Sequence, residues 1–157
     1  MSQDPPNPVI IDPSALSICV VSASFNPALT NALLDRVTQC MEANGALNQL
    51  FVERVPGSHE IPSCIDLILQ KMNFDCLVAL GVVIKGGTSH HHLVAESTGH
   101  SLQSLSLQYH TPIINGIVVT DDIKSAEDRI IGNIDRGMEF ANAALSMAQL
   151  KQKWTKI

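Results

Sequence analysis

Aromatic side chains are scarce in this 157-residue chain: four Phe, one Tyr and one Trp make up 4% of it. An aromatic standing in a loop therefore needs a reason other than filling a core. Positive charge is also short, with 10 Lys+Arg against 15 Asp+Glu and a formal net charge of −5. Nucleic acids and anionic membranes demand a basic face, so neither is expected as a partner. A small anion needs only one or two placed cations and stays open. The longest apolar run, Leu77–Ile84, is interrupted by Gly81 and falls far short of the ~20 residues of a membrane-spanning helix. The first residues show no basic-then-apolar leader pattern, and Cys19, Cys40, Cys64 and Cys76 form no CxxC pair. They read as buried thiols of a cytoplasmic protein. No internal repeat is visible.

What is present fits one domain. Residues 1–14, rich in Pro, Asn, Asp and Ser, read as an N-terminal arm, and 15–157 as a single globular unit. Short β-branched runs alternate with longer stretches at helical spacing, the pattern of βαβ units around a parallel sheet. Strands are expected at Leu16–Val21, Gln49–Val55, Cys76–Ile84 and Pro112–Thr120. The first helix starts at Pro27, carries Leu29, Leu33, Val37, Cys40 and Met41 on one face, and ends at Gly45. A second follows Pro56-Gly57-Ser58 with Ile61, Ile65, Ile68 and Leu69. A third opens at Gly86-Gly87-Thr88 and runs to Tyr109. Asp121-Asp122 caps a short helix that Gly132-Asn133 breaks, and residues 135–152 form the last, with Met138, Ala141, Ala144, Leu145 and Ala148 on one face. Ligands of open α/β sheets bind beyond the carboxyl ends of the strands, which here are Ser22–Asn26, Pro56–Glu60, Ile84–His92 and Asn115–Asp121.

Those loops hold the candidate chemistry. Free N–H groups of Gly86-Gly87-Thr88 at a helix start, with the Thr88 hydroxyl, suit a phosphate. The same residues also read as a tight turn with Thr88 as N-cap. His90, His91 and His92 point about 100° apart on a helix, so they cannot converge on one metal ion. No metal or other cofactor is expected. A single histidine in that first turn is placed for acid/base work, because imidazole titrates near neutral pH; packing at the surface is the rival reading. Arg129 is a candidate phosphate clamp or a solvated partner of Glu127 or Asp128. Glu60 reads as a polyol acceptor or as a charge favouring a helix N-terminus. Phe25, a loop aromatic, is suited to stacking on a planar ligand or to local packing.

Ser24-Phe25-Asn26, the run Val55–Pro62 (VPGSHEIP), the run Ala79–His90 (ALGVVIKGGTSH), Thr111–Gly116 (TPIING) and Ala126–Arg129 (AEDR) resemble, in this order, the 6,7-dimethyl-8-ribityllumazine synthase family. The resemblance covers Leu16 to Leu150. It implies an α/β three-layer sandwich whose four-stranded parallel sheet has the flavodoxin-like order 2-1-3-4. It implies a transferase of riboflavin biosynthesis that condenses 5-amino-6-(D-ribitylamino)uracil with 3,4-dihydroxy-2-butanone 4-phosphate and releases phosphate. Phe25 would stack on the pyrimidine, with Asn26, Ser58, His59 and Glu60 lining the pyrimidine and ribityl pocket. The backbone of Val82, Val83 and Ile84 would hold the pyrimidine edge. Gly87, Thr88 and Arg129 would bind the butanone phosphate, and His90 would move protons. The resemblance also implies a homo-oligomer built from pentamers, with the site between neighbouring subunits and riboflavin synthase as a further partner.

The chain departs from the common pattern in several places. His59 stands where many relatives carry an aromatic, and Asn115 where many carry Phe. Arg136, which replaces a frequent Lys, is kept with Asn115 among the pyrimidine-side candidates. Lys85 takes the place of an Arg. Between Arg129 and Gly137 the connection is one residue short, which favours pentamers or decamers over a sixty-subunit shell. Two other readings stand beside the synthase: a riboflavin synthase of the archaeal type on the same fold, and a lumazine or flavin carrier without activity.

Overall fold

The computed structural model describes residues 10–43 and 45–155. Four strands, β1 (Ser17–Ala23), β2 (Gln49–Val55), β3 (Cys76–Ile84) and β4 (Ile113–Thr120), form one sheet in the order β2-β1-β3-β4. All three pairings are parallel, in registers that include Cys19 opposite Phe51, Val20 opposite Val78 and Leu80 opposite Gly116. The expected three-layer sandwich with sheet order 2-1-3-4 is the one observed. β1 and β3 occupy the centre, and their near-continuous apolar sequences reflect cover on both faces.

Strand alternation sorts the core into two layers. Ile18, Val20, Val78, Leu80 and Val82 face one side, against α1 (Pro27–Glu42), α4 (Ile123–Ile130) and α5 (Arg136–Thr155). Cys19, Val21, Leu77 and Ala79 face the other, against α2 (Ile61–Leu69) and α3 (His90–Gln108). α1 buries Leu29, Leu33, Val37 and Met41 on a helical stripe. The side chain of Asp122 accepts from the Ser125 N–H at 2.7 Å and caps α4, as its sequence indicates.

Several sequence expectations shift. β1 runs to Ala23, and α3 begins at His90, since 85–89 remain a loop anchored by the Lys85 N–H on the Thr120 carbonyl at 2.9 Å. α5 buries Gly137, Phe140, Ala141, Ala144, Leu145 and Ala148, with Met138 only half-buried beside that stripe. Gly137 takes the inner position because a Cβ there would come within 2.5 Å of Arg36 Cγ. Cys19 and Cys76 are buried, whereas Cys40 and Cys64 are half-buried; all four are free thiols. Burial pushes the Cys19 thiol up to about 12, and its Coulombic neighbours Cys64 and Glu53 add to the shift. Residues 1–9 of the expected arm lie outside the described residues; of the rest, Ile11 and Pro13 are buried, and Ile11 joins the α1/α5 side of the core.

Candidate active site

The strand order reverses between β1 and β3, and loops leaving the carboxyl ends of both strands flank a crevice there. A cavity of about 380 Å³ opens at this point, in the size range of small-molecule sites. Its wall combines Phe25 and Asn26 after β1, Gly57–Glu60 after β2, Val82–Ile84 at the end of β3, and Gly86, Thr88 and His90 beyond it. Ten of the residues singled out from the sequence thus meet in one place: Phe25, Asn26, Ser58, His59, Glu60, Val82, Val83, Ile84, Thr88 and His90. Gly87, Asn115, Arg129 and Arg136 do not line it.

Backbone bonds tie the three loops together. The Ser24 and Phe25 N–H groups both donate to the Pro56 carbonyl at 3.2 Å, which locks the loop after β1 to the one after β2. Asn26 adopts a left-handed conformation (φ 55, ψ 56), which Asn tolerates better than most residues, and starts α1. Its Nδ2 donates to the Val82 carbonyl at 2.8 Å, joining the loop after β1 to the end of β3. Asn26 therefore shapes the crevice, and the Val82 carbonyl is already engaged. Phe25 is left 70% exposed, a large solvation penalty for a lone ring unless something covers it. Next to it, a Cβ at Gly57 would lie 2.8 Å from Glu60 Oε2 and 3.4 Å from the Phe25 ring, so the ring and the carboxylate share one small space.

Ser58–Glu60 form a single 3-10 turn leading into α2. Ser58 is buried, and its carbonyl accepts from Thr98 Oγ1 at 3.3 Å. Gly81 is what admits it: a Cβ on Gly81 would come 2.3 Å from Ser58 Oγ. Gly116 plays the same part across the sheet, where a Cβ would meet the Ala79 carbonyl oxygen at 2.8 Å. Both glycines belong to recognisable motifs, but only the packing gives their reason.

Gly86 and Gly87 behave differently, since a Cβ on either would meet nothing within 4 Å. Their gain is a naked, approachable backbone ahead of α3. Thr88 is not the N-cap; Ser89 is, and its side chain makes no capping bond. The Thr88 hydroxyl accepts only a long 3.4 Å bond from the His90 N–H. The His92 N–H donates to the Ser89 carbonyl at 3.0 Å, and a helix start of this kind is where an anion finds backbone donors. His90 is exposed at the cavity mouth.

Nothing in the sequence sets His91 apart from its two histidine neighbours. It is buried, lines the cavity, and places Nδ1 3.0 Å from the Thr88 carbonyl oxygen. Its Nε2 is shut from solvent with no hydrogen-bond partner, a state that typically costs about 1–3 kcal/mol. Of the three adjacent histidines only His91 is buried, and helix phase alone does not say which faces inward. The rings of His91 and His92 lie 4.0 Å apart between centroids, tilted by 39°. Among the described residues no group of three His, Cys, Asp or Glu side chains is arranged to hold a metal ion.

The remaining candidates lie apart. Arg129 is half-buried on α4, with Nη1 donating to the Ser125 carbonyl at 2.9 Å, and pairs with neither Glu127 nor Asp128 in the described contacts. Arg136 forms an ion pair with Glu139 on α5. Asn115 lies in mid-strand on β4, where its Oδ1 accepts from the Ile117 N–H at 3.1 Å. Among the described residues, no lysine or arginine lines the cavity of one chain.

The family model for 6,7-dimethyl-8-ribityllumazine synthase matches residues 15–152. The 6,7-dimethyl-8-ribityllumazine synthase of Pyrococcus furiosus is 38% identical over 138 residues, covering 88% of this chain and 87% of its own. Those of a Polaromonas species and of Thermococcus kodakarensis are each 36% identical, over 89% and 88% of this chain and 90% and 88% of theirs. The sheet order, the gathered motifs and these matches agree, and the chain belongs to the 6,7-dimethyl-8-ribityllumazine synthase family of transferases.

Proposed function

We propose that the protein condenses 5-amino-6-(D-ribitylamino)uracil with 3,4-dihydroxy-2-butanone 4-phosphate to form 6,7-dimethyl-8-ribityllumazine, phosphate and water. The observation that carries this reading is the single cavity joining an exposed ring, Phe25, to the polar turn Ser58–Glu60 and to the donor-rich loop at Thr88 with His90 beside it. A planar pyrimidine suits the ring. Its ribityl hydroxyls suit Ser58, His59 and Glu60, with Asn26 holding the loop and the backbone of Val83 and Ile84 at the pyrimidine edge. The phosphate suits Gly87 and Thr88.

The chemistry needs proton transfers more than charge. The 5-amino nitrogen attacks the ketone carbon, and the adduct loses a first water to give an imine. Removal of a carbon-bound proton then lets the C–O bond to phosphate break, with the electron pair leaving on phosphate. The resulting enol becomes a ketone, which the ribityl-bearing nitrogen attacks, and loss of a second water closes the ring. His90 takes up and returns protons in these steps. Holding two reactants together supplies much of the acceleration, so His90 contributes a factor rather than the whole.

Arg129 and Arg136 enter this reading from outside the cavity of their own chain. Neither lines it, which supports a site completed by a second subunit of a pentamer, Arg129 reaching the phosphate and Arg136 and Asn115 the pyrimidine side. Exposed Phe25, Ile123, Ile131 and Trp154 give such an assembly apolar surface to cover. A cytoplasmic pentamer or decamer is the form proposed; among the described residues no helix is long and apolar enough to cross a membrane.

Mixing the purified protein with both substrates and following lumazine and phosphate together tests the reading. Equal amounts of the two products are expected. No lumazine would sink the synthase, flavin formed from lumazine alone would point to the riboflavin synthase reading, and tight lumazine binding without turnover to the carrier.

A further inference from the structure

We propose that His91 is a second histidine of this site: its Nδ1–H pins the Thr88 carbonyl, and its Nε2 accepts a hydrogen bond from an N–H or O–H of the bound substrate. The residue is 8% exposed, in the cavity wall, yet only one of its ring nitrogens has a partner. A carbonyl oxygen can only accept, so Nδ1 carries the proton, and Nε2 of that tautomer presents a lone pair. The direction follows from packing: His91 is the buried one of the three histidines. Thr98, two turns further along α3, shares the face of His91 and reaches the Ser58 carbonyl. The buried side of His91 thus lies between the Thr88 loop and the Ser58–Glu60 turn, where the proposed substrates meet. Nε2 is shut from water in the free protein, so the ligand donor reaches it by displacing the neighbouring cavity wall, and the bond then supplies what the free protein leaves unmade. This rests on the synthase reading, which offers donors on both substrates: the amino groups and ribityl hydroxyls of the pyrimidine, and the hydroxyls of the butanone phosphate.

Two amide variants separate the two nitrogens. The amide nitrogen of His91→Asn takes the place of Nδ1 and keeps the bond to Thr88 while removing Nε2. His91→Gln places its amide near Nε2 and gives up the Thr88 bond. With His91→Asn, kcat/KM should fall about fivefold to tenfold while competition by inorganic phosphate stays unchanged. His91→Gln should keep more of kcat/KM and weaken phosphate competition. A native-like His91→Asn, or equal losses in both variants together with lowered melting temperature, would overturn the proposal. Nitrogen-15 spectra of histidine-labelled native protein need no turnover: Nε2 should be bare in the free protein and move upfield with the pyrimidine alone or the butanone phosphate alone, whichever supplies the donor. No movement with either, or with inorganic phosphate, would overturn it even if the native protein makes lumazine. Movement of Nε2 without lumazine synthesis would instead remove the synthase reading and leave His91 as a ligand contact.

Discussion

Asn26 shows how a residue chosen for one role can do another. Its place beside an exposed ring marks it as a ligand contact, but its left-handed backbone and its 2.8 Å bond to the Val82 carbonyl make it the joint between two loops. Asn26→Ala loses both the tolerated conformation and the bond, and should lower stability by about 2 kcal/mol. Asn26→Gly keeps the conformation and should recover about half of that. Urea denaturation midpoints check the ranking, and Asn26→Gly as unstable as Asn26→Ala would contradict it. The glycines make the same point from the other side. Gly81 leaves room for Ser58, whereas Gly86 and Gly87 have no neighbour to avoid, and letters on a page do not distinguish the two cases.

At the scale of elements, helix ends carry the testable chemistry. α3 is followed by His110 with φ 50, a left-handed residue where glycine is usual. His110→Gly should raise stability by about 0.5 kcal/mol or more, measured as a shift in the urea midpoint. α5 begins just after Asp135, whose Oδ1 accepts from the Met138 N–H at 2.9 Å while Oδ2 accepts from Arg36 on α1. Hydrogen bonding from Arg36, followed by the Met138 N–H and the Coulombic pull of Arg36 against a desolvation cost, holds the Asp135 carboxyl below its ordinary value of 3.8. A carboxyl depressed on folding stabilises above its ordinary value, and that contribution disappears as pH falls through the lower folded value. Asp135→Asn keeps a helix-capping side chain and removes the charge. It should cost under about 1 kcal/mol at pH 7, because both side chains are partly exposed, and nothing once the native Asp135 is itself protonated. Stability curves of the two proteins that stay parallel from pH 7 to below 3.8 would refute this.

At the scale of the whole molecule, the proposed phosphate-bearing substrate needs a cation from some part of the assembly. Arg129 sits on α4, outside the cavity wall of its own chain. If one subunit supplies Phe25 and its neighbour Arg129, then Phe25→Ala and Arg129→Ala proteins, each weakened alone, should regain activity when co-assembled, because some interfaces in the mixture combine two intact halves. Mixed oligomers no more active than the average of the two variants would place Arg129 and Phe25 in one subunit's site. Separately, Arg129→Ala should raise KM for the butanone phosphate far more than for the pyrimidine.

The alternation of strand and helix, the two central strands and the motif order were set by periodicity and composition, since burial on both faces leaves an apolar run that local sequence displays directly. Phe25 and the Ser58–Glu60 turn could be singled out for a related reason: a ring and a polar turn at strand ends have few structural uses. Which of three neighbouring histidines turns inward, why Gly81 cannot be larger, and that Asn26 spans two loops depend on distances between segments up to 56 residues apart. Such distances exist only once β1 and β3 lie side by side, so tertiary packing decided them.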